Sequence, residues 1–127
     1  PDAAVAAFRL SLEAEREKPN VQTDSWLDFG EFVAVGARAD LFDEALTVLA
    51  EFEGQRTVAF PVQRFRLHAI RAIILGASGE RERARASAAR ALQEAAATHS
   101  GFSRHTKLGL VGQRHQSLLK QASMWAA

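Results

Sequence analysis

Three groups of residues carry the chemical potential of this chain: four histidines, an arginine–histidine stripe, and one short run of glycine, hydroxyl and basic side chains. The histidines are His68, His99, His105 and His115. Zinc draws its ligands from short helical or loop spacings, with cysteine or carboxylate often completing the set. His99-x5-His105-x9-His115 has no such spacing, and no acid lies between the three. There is no cysteine, which removes disulfides and thiolate metal sites. The stretch from His99 to Lys107 (HSGFSRHTK) has the composition of an anion-cradling backbone nest, with Arg104, His105 and Lys107 as candidate anion-binding residues. It lacks the glycine-rich spacing and lysine–hydroxyl pair of a phosphate loop. A nucleophile–base–acid set cannot be assembled either, because the second half holds only Glu80, Glu82 and Glu94. The expectation is therefore a non-enzymatic chain with no catalytic residue, no metal and no cofactor.

Arg64, His68 and Arg71 stand at i, i+4 and i+7 in a segment that is otherwise apolar. Two readings fit that stripe. It is either the solvent edge of a greasy helix, with arginine stems covering apolar surface, or a contact for a carboxylate or phosphate, which the planar guanidinium recognises with two parallel bonds. Arg81, Arg83, Arg85 and Arg90 are spread around another segment without an aromatic to stack on bases, so a solvated face is expected there and nucleic acid is not.

The elements that must hold these residues are helices. Alanine, arginine and leucine dominate 127 residues that include only three prolines, a composition favouring helix and enough chain for one domain with its own core. The first helix runs from Asp2 to Lys18, before the Pro19-Asn20 turn. The second runs from a capping Asp24 to Arg38, with Trp26, Phe29, Phe32, Val33 and Ala37 inward and Asp28 and Glu31 outward. The third, capped by Asp40, spans Leu41 to Glu53 and closes at Gly54. Val58-Ala59-Phe60 is an extended connector without a second strand to pair with. The fourth helix, Pro61 to Ala77, is apolar almost all round and must be sandwiched. Ser78-Gly79 turns into a fifth, which carries a stripe of Ala84, Ala88, Ala91, Leu92 and Ala95 on a stretch reaching His99. Residues 100–112 read as irregular chain pinned by its apolar residues, and a sixth helix from Gln113 to Trp125 caps the end. No run approaches the roughly 18 apolar residues of a membrane span, and no signal peptide is visible, so a cytoplasmic, membrane-free protein is expected. Pro1 at the start and Met124 as the single methionine suggest a piece of something longer.

Ala7, Ala45 and Ala84 recur 38 and 39 residues apart. Trp26-x2-Phe29-Gly30-x2-Val33 resembles the first-arm pattern of tetratricopeptide repeats, and Phe42-Asp43-Glu44-Ala45 with Leu49 resembles the second arm of that family. Ala7, Ala14 and Pro19 match the tail of a preceding repeat. The resemblance covers about residues 7–99. It departs from the family in its longer period and in Leu67-x2-Ile70-Arg71-x2-Ile74, which puts Arg71 where the family has glycine and predicts a second hairpin that either splays or sits in another register. Longer-armed variants occur in sensing domains of bacterial regulators. The resemblance implies an all-α stack of antiparallel hairpins, about six helices in a short solenoid over 1–127. It would serve as a scaffold that binds a peptide or partner protein in a groove lined by first arms: Asp24, Leu27 and Glu31 with Arg64, His68 and Arg71. The alternative is a ligand-sensing or nucleic-acid-associated regulatory domain using the basic second half.

Charge is divided unevenly. Residues 1–54 hold twelve acids against four bases, and residues 55–127 hold twelve bases against three acids. This polarity predicts salt-sensitive head-to-tail association of copies, acidic end to basic end.

Overall fold

The computed structural model describes residues 2–58, 60–96 and 115–126. Every regular element among them is helical: α1 (Asp2–Glu17), α2 (Ser25–Val35), a 3₁₀ turn (Ala39–Leu41), α3 (Phe42–Gln55), α4 (Pro61–Ala77), α5 (Arg81–Ala96) and α6 (Gln116–Ser123). None of these helices is long and apolar enough to cross a membrane. The 100–112 segment expected to be irregular lies outside the described residues, as does Ala59 of the connector.

The all-helical expectation holds, with shifts at the ends. α2 stops at Val35, three residues before Arg38, because the backbone turns left-handed at Ala37 (φ 53°). Ala37, expected inward, is exposed, beyond the end of that helix. The Arg38 N–H reaches back to Val33 O at 3.0 Å, closing the six-to-one bond of a Schellman cap. α4 ends the same way: Glu80 N–H bonds to Leu75 O at 2.8 Å, with Gly79 in the left-handed place (φ +88°). Gly54, expected to close α3, lies inside it. Asp40 does not cap α3; it sits in the 3₁₀ turn, gripped by Arg38 at 2.9 and 3.1 Å. Asp24 stands at the N-cap of α2 with no side-chain capping bond, and its carboxylate instead accepts from Gln63 at 3.1 Å.

α4 lies at the centre of the bundle, in contact with α2, α3, α5 and α6. Ten of its seventeen residues are buried, among them Phe65, Leu67, Ile70, Ile73 and Ile74. Each such large apolar side chain is worth about 1.5–3 kcal/mol on burial. Its neighbours come close by means of small residues. Gly30 of α2 faces Ile70, where an added Cβ would stand 3.1 Å from a methyl. Ala84, Ala88 and Ala91 of α5 are fully buried against α4. At the other end of α4 the Trp125 ring lies on Gly76, leaving no room for a side chain there.

Of the two expectations for the second hairpin, splaying is corrected by this arrangement, and a shifted register is the one in keeping with it. Among the described residues α4 and α5 make the most extensive helix contact, since α5 supplies alanines where a first-arm glycine would otherwise be needed. Arg71 points sideways to Glu53 at 2.6 Å. In register with Gly30, 39 residues on, stands Ala69, which is fully buried. Ala45 and Ala84 are buried, as the repeat expects, but Ala7 is exposed.

Direction follows from the side-chain bridges. Arg9 binds Glu44 and Arg16 binds Glu51, each with two nitrogens on two oxygens. Stepping seven residues along both helices preserves the pairing, so α1 and α3 run parallel. Gln63 with Asp24 and Arg66 with Asp28 set α2 and α4 parallel in the same manner. Neighbours in sequence run antiparallel between them, as Arg64 of α4 on Glu94 of α5 requires.

Ala37 takes up a backbone conformation that disfavours every residue with a Cβ except locally hydrogen-bonding ones. Ala37→Gly is therefore expected to stabilise the fold by about 1 kcal/mol, read as a raised urea midpoint at unchanged slope.

Candidate functional site

Charged side chains among the described residues gather at three places. The most buried joins the ends of α1 and α3. The Glu15 carboxylate accepts from Thr23 N–H at 2.9 Å, Thr23 hydroxyl at 2.7 Å and Arg56 Nη2 at 2.6 Å. Arg56 also donates to the Thr23 carbonyl at 2.7 Å, and its guanidinium lies 4.8 Å from the Phe52 ring centre. Phe52 in turn stacks on Trp26. Burial alone would raise the Glu15 pKa, but the Arg56 and Thr23 hydrogen bonds outweigh it and hold the carboxyl below its ordinary range. The charge is thus satisfied rather than poised for reaction, and the cluster ties the α1–α2 loop to the end of α3. Removing one partner of a buried pair typically costs about 3–5 kcal/mol. Arg56→Met is expected to lose stability on that scale, and Glu15→Gln to add little once Arg56 is gone. Chemical denaturation of the two single variants and the double variant measures this coupling.

The second place is the stripe predicted on α4. Arg64 donates to Glu94 at 2.8 and 3.0 Å and to the Val58 carbonyl at 3.0 Å. Arg71 holds Glu53, whose carboxyl is kept low first by that hydrogen bond. His68 lies between them, 6% exposed. Burial, reinforced by Arg90 and Arg71, pushes its imidazole from 6.5 down to about 4 against the pull of Glu53 and Glu94. The stripe braces α4 against α3 and α5. On folding, His68 resists a proton that the unfolded chain takes up below pH 6.5. Stability from this residue is full above pH 6.5 and drains as pH falls toward about 4, to the extent of roughly 3 kcal/mol. His68→Leu is expected to flatten the stability–pH curve across that interval, leaving the steeper carboxylate loss below about pH 4.5; urea titrations at stepped pH measure both.

The third place is an open cleft of about 450 Å³ between α2 and α4, lined by Asp28, Glu31, Phe32, Val35, Gly36 and Arg66. Arg66 is its hub. The guanidinium donates to Asp28 at 2.7 Å and Glu31 at 3.2 Å, with Asp24 at 4.0 Å. Three carboxylates thus surround one cation, a local excess of negative charge. Phe32 supplies an apolar wall, held from behind by Phe8 at 5.6 Å between ring centres, and Val35 is 50% exposed at the rim.

The six residues expected to line one groove do not converge. Asp24 and Glu31 flank the α2–α4 cleft. Leu27 is fully buried in the core and presents nothing to a partner, a correction that follows from its place on the inward face of α2 with Trp26 and Gly30. Arg64, His68 and Arg71 lie roughly half a turn round α4 from Arg66, against α3 and α5 instead of in the cleft. Arg104, His105 and Lys107 lie outside the described residues, as do His99 and His105 of the histidine series. His115 packs its ring 6.3 Å from that of Phe65. Among the described residues no group of three or more histidine or acidic side chains is placed to hold a metal ion.

Arg66 and Val35 were not singled out by sequence reasoning, and Phe32 was read only as an inward residue of α2. The signal for Arg66 was present: the 38-residue recurrence, applied to Asp28, lands on it. Comparison of the chain with protein-family models, with curated proteins and with solved structures finds no match in any of the three.

Proposed function

We propose that this chain is a protein-interaction module of stacked helical hairpins, resembling tetratricopeptide repeats, and that it takes a basic peptide or partner helix in the α2–α4 cleft. The observation that carries the reading is the combination found there: Asp24, Asp28 and Glu31 around a single Arg66, beside the apolar Phe32 and Val35. A lysine or arginine of the ligand would share the carboxylates with Arg66, while a neighbouring leucine or phenylalanine would rest on Phe32 and Val35. An apolar anchor with charged neighbours is how a helix or extended segment is held in a groove. The parallel runs of α1 with α3 and α2 with α4 support the repeat reading, because equivalent arms of successive hairpins lie side by side in such stacks. Binding and positioning, without a chemical step, is the activity proposed.

The test uses labelled peptides of ~15 residues in which lysines flank a leucine or phenylalanine, against the same peptides with glutamate for lysine. Basic peptides are expected to bind at roughly micromolar Kd, and Val35→Asp or the pair Asp28→Asn with Glu31→Gln to weaken them about ten-fold or more. All these side chains are at least partly exposed, so the fold is retained, which circular dichroism checks. Equal binding of acidic peptides, or affinity unchanged by the substitutions, removes the proposal.

A further inference from the structure

Part of the charge asymmetry of the sequence is consumed inside the molecule. Arg56 from the basic half meets Glu15, Arg66 meets Asp28 and Glu31, and Arg71 meets Glu53. Two of the surfaces that remain, on α1 and around the start of α5, are informative together. On α1, Leu10 is 68% exposed, although its counterparts 39 and 78 residues on, Leu49 and Ala88, are completely buried. Glu13 and Glu17 follow Leu10 at i+3 and i+7 on the same side of the helix. Both are exposed, and neither is in an ion pair among the described residues. On the second surface, α5 and the turn after α6 form a pocket of about 160 Å³ lined by Arg81, Arg85, Met124 and Trp125. That volume is of the order of one aliphatic or small aromatic side chain (~150 Å³). Met124 is 73% exposed, and Trp125 is fixed in position by Gly76 beneath it. Arg81 and Arg85 are exposed; Arg85 has only a loose contact with Glu82, at 3.9 Å.

We infer that these two surfaces are halves of one interface: Leu10 of one copy of this chain seats in the Arg81–Arg85–Met124–Trp125 pocket of the next, with Glu13 and Glu17 facing Arg81 and Arg85. The match is metrical as well as electrostatic. Glu13 to Glu17 and Arg81 to Arg85 are both i,i+4 pairs, each advancing about 6 Å along its helix, so two carboxylates meet two guanidiniums at the same spacing. The pocket's exposed lining is mostly polar, from Arg81 and Arg85, which answer the acids beside Leu10, while Met124 and Trp125 supply the apolar part that meets the leucine. The contact is heterologous, so it joins copies head to tail rather than face to face. It uses none of the α2–α4 cleft residues, so a peptide and a neighbouring copy can be held together.

Sedimentation of the whole chain from ~1 µM to ~1 mM reads the interface directly. The weight-average mass is expected to rise with concentration at low salt. The association is expected to weaken about ten-fold or more at ~1 M salt, where screening acts over about 3 Å. Leu10→Glu is expected to abolish it. Two charge-swapped variants, Glu13→Arg with Glu17→Arg and Arg81→Glu with Arg85→Glu, should each be monomeric alone and associate again when mixed. All five positions are exposed, and circular dichroism of each variant confirms its helical content. A wild-type chain that stays monomeric throughout at low salt overturns the inference, and Leu10 is then covered by a helix of other origin. Swapped variants that associate as well as wild type, or that remain apart on mixing, overturn it equally.

Discussion

The whole molecule depends on how closely other helices can approach α4. A helix that buries Phe65, Leu67, Ile70, Ile73 and Ile74 on different sides has little surface to give to water, and so it must be largely enclosed. Enclosure at van der Waals distance requires small residues on the surrounding elements, and they are found where α4 is bulky: Gly30 opposite Ile70, and Ala84, Ala88 and Ala91 along α5. At its C-terminal end the roles reverse, and α4 contributes Gly76 beneath the indole of Trp125. Large meets small at each of these contacts. Interiors tolerate few voids and little overlap, so these positions define the spacing of the bundle.

Polar side chains take up the edges left by that packing. Long arginines reach between helices whose backbones are kept apart: Arg9 and Arg16 from α1 to α3, Arg66 from α4 to α2, Arg71 from α4 to α3, Arg64 from α4 to α5. At exposed positions such bridges fix orientation more than they add stability. Glu15 with Arg56 differs, because neither charge has water to fall back on and every oxygen is hydrogen-bonded within the protein. Among the described residues no fully buried side-chain nitrogen or oxygen lacks a partner.

Much of the architecture was legible in the residues themselves. Proline at the start of α4, the apolar girth of that helix and the alanine spacing of α5 declare what each segment is, since they reflect local geometry and one-sided or all-round burial. Helix ends were less legible. α2 ends at a left-handed alanine with glycine one place too early, and α3 runs through Gly54, because tertiary contacts at Phe52 and Arg56 override the local preference. The cleft was only half visible. Asp28 and Glu31 stood out as acids on an outer face and Asp24 as a cap and groove residue, but their convergence on Arg66 belongs to the pairing of α2 with α4, which no single helix encodes. Leu27 was misplaced for a related reason: on a helix as apolar as α2, periodicity alone separates the core from the rim poorly.

Every substantial helix contact in this structure joins neighbours in sequence or next-but-one neighbours. A chain wired that way closes only short loops as it assembles, so its search for the native state is brief compared with that of sheet proteins of equal length. Opening is graded as well. α1, whose one extensive helix contact among the described residues is with α2 and which reaches α3 by arginine struts, can lift away while α4 and α5 remain closed, so order is lost from the rim inward.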